Sequence, residues 1–343
     1  MARLNHATRM LAGVVLVCAA PAQLPHIGDI DFYGLRKIPA EQILAAAHLA
    51  SGDSVPASRG DLEGQIASIP GVDAAHVQTV CCEGNRVALF IGIEESGAPA
   101  ATFHEPPSGK STLPPDLMTQ YREYEGALLR AELNGAASQS ASAIPAPAAD
   151  PTVHGDEIRF RAFAARHTLL LRAELRTGAD AEERAAAATV IGYATDKRAV
   201  VDDLLFALQD PDEGVRTNAA RSLAAIAAVG RRTPALGIHV SSARFVELLD
   251  SVVLSDRVES TKALLVLTAG KSAPVLDLIR QRALPSLAEM ARWKTLRYAQ
   301  PPFVLLGRVA GLTDAQVQQS WDKGDREPVI QQALASAANK PRE

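Results

Sequence analysis

"DPDEGVRTNAARSLAAIAAV", Asp210 to Val229, joins an acid–proline stop to a segment built largely of alanine. Asp210 closes one helix, and Pro211 cannot continue it but suits the first turn of the next. Asp212 sets a carboxylate at the positive end of that next helix. Val215, Ala219, Leu223 and Ile226 then follow at spacings of three and four, which places them on one helical face. Alanines on that face let a neighbouring helix axis approach toward the low end of the usual range of about 8–10 Å. Asp212 and Arg216 are four apart, so a local ion pair worth about 0.2–0.5 kcal/mol is open to them.

Working outward, nearly every stretch from Asp156 reads as helix. The candidates are "EIRFRAFAARHTLLLRAEL", "DAEERAAAATVIGYA", "AVVDDLLFALQ", "DEGVRTNAARSLAAIAAV", "SARFVELLDSVVL", "ESTKALLVLTA", "PVLDLIRQRALPSLAEMARW" and "PPFVLLGRVAGL". Short breaks between them suit stacked helical hairpins. An internal repeat supports this. Arg184 with Ala187, Ala188 and Ile191 matches Arg216 with Ala219, Ala220 and Leu223, and Ser260 with Ala263, Leu264 and Leu267 makes a weaker third copy.

These residues resemble HEAT repeats, close to the phycobilisome-lyase-type subgroup, over about residues 180–335. "LLFALQDPDEGVRTNAARSLAAI" is the strongest match. The resemblance implies an all-α solenoid over 156–338, in which Asp212 and Arg216 join a polar ladder between repeats. Asp210, Pro211, Asp212, Val215 and Arg216 are then the structural turn of a repeat. Solenoids of this kind present long surfaces suited to protein capture.

The N-terminal third has a different grammar. Ile27 to Tyr33 form a short strand stopped by Gly34, and Ile43, Leu44, Ala47 and Leu49 recur at helical spacing. Leu62, Ile66 and Ile69 mark a second helix, closed by Pro70-Gly71. Val72–Val80 and Val87–Ile93 are expected as a hairpin around "CCEGN". "IGDIDFYGLRKIPAEQIL", "IPGVDAAHV" and "VALFIGIEE" resemble the polypeptide-transport-associated (POTRA) module over about residues 26–96. The fold class expected is therefore multidomain, a small α+β (β-α-α-β-β) domain followed by the solenoid. The resemblance implies that the last strand lies centrally, leaving Ala74, Val77 and Val80 on a sheet edge open to an extended peptide. It also implies a bacterial address, in the periplasm or at the cell surface. The neighbours Cys81 and Cys82 are either two thiols or a disulfide, vicinal or intermolecular.

Between the two lies residues 97–155, rich in Pro, Ala, Gly and Ser and read as a mobile linker with one helix over 116–133. "SGKST" around Gly109-Lys110-Ser111 fails as a phosphate-binding loop, because His104 stands where the first glycine belongs. "FHEPP" is a single His-Glu pair and makes no metal site.

Residues 1–22 read as a signal peptide. Arg3 and Arg9 precede the apolar "LAGVVLVCAA", and Ala20-Pro21-Ala22 suits cleavage after Ala22. Bulky Val17 disfavours Cys18 as a lipid-attachment site. The run is short of the about 20 residues a membrane span needs. The 343-residue chain is 47% hydrophobic but only 4% aromatic, so its apolar bulk is Ala, Leu and Val, which suits close helix packing. A formal charge of −4 carries no global basic field for nucleic acid. We find no convergent catalytic constellation, no cofactor motif and no metal-ligand spacing, and expect no enzyme. "ARWKTLRYAQPPF" is the candidate partner patch, with Trp293, Lys294, Arg297 and Tyr298 paired at spacings of four. The expected function is an exported scaffold that binds a protein or extended peptide. Accessory work in envelope assembly and a bilin or cofactor lyase are the alternatives.

Overall fold

The computed structural model describes residues 25–83, 86–133 and 151–338; the signal-peptide reading lies outside these residues. The first domain runs β1 (His26–Tyr33), α1 (Ala40–Ala47), α2 (Arg59–Ala67), β2 (Val72–Glu83) and β3 (Arg86–Glu95). β3 is central, parallel to β1 and antiparallel to β2. One sheet face is apolar because Leu89, Ile91 and Ile93 alternate along β3, and it packs on Ile43 of α1 and Leu62 and Ile66 of α2. Ser58 caps α2 by accepting from Asp61 N–H. Glu95 ends β3 and accepts the N–H groups of Arg36, Lys37 and Ile38 at 2.7–2.9 Å, which pins the chain leaving β1.

Among the described residues, twelve further α-helices follow. They are α3 (Pro115–Leu133), α4 (Pro151–Thr177), α5 (Ala181–Ile191), α6 (Val201–Ala207), α7 (Glu213–Arg232) and α8 (Ala243–Leu248), then α9 (Leu254–Thr268), α10 (Ala273–Arg282), α11 (Leu284–Ala291), α12 (Leu296–Val309), α13 (Asp314–Asp322) and α14 (Glu327–Ala338). α5, α7, α9 and α12 stack in turn as one layer, while α4 packs on α6 and α8 on α10 in the other. Val215, Ala219, Leu223 and Ile226 of α7 are fully buried, so the small-residue face does meet neighbouring helices.

Some boundaries differ from expectation. The single helix expected over 274–293 breaks at Ala283, and Pro285 falls in the first turn of the helix that follows, where its missing N–H is tolerated. α12 begins at Leu296 and carries Pro301 and Pro302 within it, earlier than the proline pair suggested. α13, absent from the expected helices, opens with a capping box, Thr313 with Gln316. The third repeat copy sits three residues earlier than read. Arg184, Arg216 and Arg257 are each the fourth residue of their helix and occupy equivalent places.

Those arginines form the ladder. Arg184 grips Asp210 through two bonds of 2.8 Å and donates to the Gly178 and Ala179 carbonyls. Arg216 grips Asp256 at 2.8 and 2.9 Å and donates to the Asp210 and Pro211 carbonyls. Arg257 donates to the Ser251 carbonyl at 2.6 Å and meets Glu289 at 3.5 Å. Asp212 is not a rung: it caps α7 by accepting from Val215 N–H.

Removing one member of a buried bidentate pair strands the other's charge, at about 3–5 kcal/mol. Asp256→Ala is therefore expected to lose that much in urea unfolding, against about 1 kcal/mol for loss of the Asp212 cap. Equal, small losses in the two variants would show that the ladder is not a strong constraint.

Candidate interaction surfaces

The side of the array that presents the repeat turns is occupied by the chain itself. Residues 98–114 run along it as a strap, so this part of the expected mobile linker is instead packed against the repeats. Phe103 lies 4.0 Å from the Arg216 guanidinium, and the His104 ring stacks on Phe206 at 4.5 Å. His104 N–H bonds the Gln209 carbonyl, and Gly109 N–H bonds the Thr177 carbonyl at 2.7 Å. A Cβ on Gly109 would sit 2.4 Å from that Thr177 oxygen, so the glycine of "SGKST" serves a close backbone approach. Leu113 is buried, and its N–H reaches Glu183 at 2.6 Å. α3 then folds onto α4 and α5, with Tyr121 accepting from Asn218 of α7 and Arg122 clasping Glu182. The remainder of the expected linker, 134–150, lies outside the described residues.

The sheet's second face docks on the same side. Trp293 is only 3% exposed, donates to the Phe32 carbonyl at 2.9 Å, and meets Tyr33 and Phe90 edge-on. Tyr298 packs on Phe90, and Arg297 donates to the Cys81 carbonyl. Asp31 accepts from the N–H groups of Lys294 and Thr295 at 2.8 and 3.0 Å. This corrects the reading of Trp293, Lys294, Arg297 and Tyr298 as a surface for an outside partner. Lys294 remains exposed, but Trp293 fills the joint between domains, where its ring is dry and its N–H is satisfied. Sequence pairing could not distinguish a partner in trans from the chain's own sheet.

The ladder ends in this joint. Glu289, the last carboxylate, also accepts from Gly34 N–H at 2.9 Å, and Tyr33 lies 4.8 Å from the Arg257 guanidinium while donating to the Val252 carbonyl. Burial pushes the Glu289 carboxyl up, an effect that Arg257 and the Gly34 N–H oppose. Gly92 makes the approach possible. A Cβ there would stand 2.3 Å from the Val252 oxygen and 2.4 Å from the Tyr33 ring.

β2 is one edge of the sheet, as the resemblance implied, but it is not open along its length. Val77 N–H donates to Glu63 of α2 at 2.7 Å, which occupies the backbone donor that a docking strand would use. His76 lies between Glu63 and Glu213, at 3.4 and 3.8 Å. Ala74 and Val80 pair with β3. Cys81 is disulfide-bonded; the Cys82 side chain lies outside the described residues.

On the α5–α7–α9–α12 layer, a charged row on α7 and α9 stays accessible. Arg221 and Lys262, with side chains 47% and 42% exposed, both reach the largely buried Glu259, at 3.4 and 2.9 Å. Burial works against the Glu259 carboxylate, yet Lys262 and Arg221 hold its pKa below the ordinary value. This row was missed in the sequence, where three charges on two helices gave no common spacing. Among the described residues, no group of three or more His, Cys, Asp or Glu could hold a metal ion, and no helix is long and apolar enough to cross a membrane.

Residues 168–264 match the HEAT repeats family, a span that runs from α4 to α9 and contains the first two rungs of the ladder. Among solved structures, the chain is similar to a designed armadillo repeat protein (16% identity, covering 64% of this chain and 99% of that one, TM-score 0.33). A second designed armadillo repeat protein, in complex with peptide (KR)4, is 14% identical over 65% of this chain and 98% of that one, also at a TM-score of 0.33. An engineered protein is 17% identical over 65% and 96%, again with a TM-score of 0.33. No match is found among curated proteins. The chain is a helical-repeat protein.

Gly92→Ala is expected to pry the sheet from the array, because neither the Val252 carbonyl nor the Tyr33 ring can retreat without opening the joint. Hydrogen exchange would report faster exchange in β1, β3 and residues 293–298, with α5 and α7 unchanged. Gly60→Ala, whose added Cβ meets nothing within 4 Å, is the control. Equal protection in both variants would mean that the joint is not closely packed.

Proposed function

We propose that this protein is a non-catalytic scaffold whose repeats hold a segment of another protein on the α7–α9 face. The single observation that carries the reading is the distribution of cover over the array. The strap and the sheet occupy the turn side and α3 covers α5, while Arg221 and Lys262 stand accessible on the same layer. Helical-repeat arrays bind along such stacked faces. Arg221 and Lys262 flank Glu259, with Glu125 of α3 also near Arg221, and an extended segment whose acidic side chains replace Glu259 as their partner suits this row. The rim charges would set on-rate and specificity more than total affinity.

A selection of displayed random peptides on the purified protein is expected to enrich acidic sequences. Those peptides are expected to lose about tenfold or more in affinity against the Arg221→Glu, Lys262→Glu double variant, with its unfolding midpoint little changed. No enrichment, or undiminished binding to the variant, would sink the proposal.

The apolar run that follows Arg3 and Arg9 supports an exported scaffold, in the periplasm or secreted. The β-α-α-β-β order with β3 central supports a POTRA-like first domain, and with it an accessory part in envelope assembly as the second reading. Mass spectrometry of the protein recovered from a bacterial envelope fraction is expected to find an N-terminus at Gln23. An intact Met1 in a soluble cytoplasmic fraction would dismiss export.

A further inference from the structure

The outward face of α4 is used by none of these contacts, and its pattern is specific. Ile158, Ala162, Ala165 and Leu169 follow at steps of four, three and four, the spacing of a coiled-coil stripe. All four are exposed, Leu169 at 80% and Ile158 at 51%. Phe160 and Ala164 before His167, and Leu171 and Leu175 after it, are fully buried, so the kink at His167 leaves the two faces in phase. Arg159, which meets Asp156 at 3.3 Å, and Arg166 border the stripe on one side and Arg161 on the other, and no Asp or Glu lies between Ile158 and Ala173. That is a one-sided charge on a chain whose formal charge is −4. As the first helix of the array, α4 would carry a polar outer face if it were merely a cap.

We propose that this face is a docking stripe for a partner's amphipathic α-helix, one with aliphatic residues facing α4 and glutamates flanking them. The two alanines at the middle of the stripe let a second helix approach closely, and the bordering arginines occupy the flanking positions that select a partner by charge. A second copy of this chain docked about a twofold axis would set arginines against arginines. A bilayer surface would gain little from a stripe whose centre is alanine, since interfacial binding scales with buried apolar area. The acidic helix is the occupant that satisfies both features. This stripe is separate from the α7–α9 row, and each stands or falls alone.

The experiment uses the full chain and a synthetic four-heptad peptide with Leu at the core positions and Glu at the flanking ones, alongside a twin carrying Lys at the flanking positions. By fluorescence anisotropy the acidic peptide is expected to bind, with affinity that falls as salt rises. Leu169→Asp, and separately Arg161→Glu with Arg166→Glu, are expected to weaken binding about tenfold or more, and the Lys twin is expected not to bind. Leu169 is solvent-exposed, so these variants should unfold at the parental temperature, which circular dichroism checks. Absent binding, or equal binding to Leu169→Asp, overturns the proposal. So does a sedimentation dimer that Leu169→Asp dissolves, which assigns the face to a second copy. Co-sedimentation with phosphatidylglycerol vesicles that Leu169→Asp abolishes overturns it in favour of a lipid surface.

Discussion

The guanidinium at the fourth position of a layer helix is the constraint on which the array rests. A buried arginine must have its five N–H donors answered, because an unanswered charge away from water costs several kcal/mol. Arg184 and Arg216 each divide their donors between the turn before their own helix and a carboxylate on the following repeat. The same side chain therefore fixes a turn and a neighbour together. Van der Waals contact among alanines could not do this alone, since smooth small-residue faces allow helices to slide. In the third repeat Ser251 stands where Asp210 stands in the second, and its hydroxyl supports Asp256 at 2.6 Å, so the carboxylate has moved while the rung persists.

The ladder also explains why the chain wraps its own turns. Turns dense in buried polar groups need a lid that completes their hydrogen bonds without competing for the arginines. The strap meets that need with backbone: His104 and Gly109 donate to turn carbonyls, and Phe103 lays a ring over Arg216. An aromatic face attracts a cation without removing any of its N–H donors, so it can be added to a satisfied guanidinium.

At the far end the sheet takes the strap's place, and the two domains cease to be independent. Tyr33 and Phe90 belong to the same apolar cluster as Trp293 and the helices, whereas the α1–α2 side of the sheet forms its own core. An array closed on one side by its own N-terminal part is restricted in how a partner can reach it. The α7–α9 face and the α4 face both remain accessible, and they carry different chemistry: a mixed-charge row in the first and an apolar stripe among arginines in the second.

The elements themselves were legible from local pattern. The acid–proline stop, the spacing from Val215 to Ile226, and the alternation along β3 each reflect periodicities of 3.6 and 2 that a chain cannot hide. The sequence also determined that Arg184 and Arg216 are equivalent, and the resemblance of its first domain implied a central β3. Tertiary structure alone decided what each polar or aromatic group faces. Trp293 with Arg297 reads the same whether a partner or the chain's own sheet lies above it. Arg257 was hidden because Asp256 replaced the expected turn acid, and the Val77 edge was expected open because nothing nearby in sequence announces Glu63 as its cover. Periodicity is a property of one segment and survives in one dimension, while satisfaction of a buried donor is settled by whichever distant segment the fold brings to it.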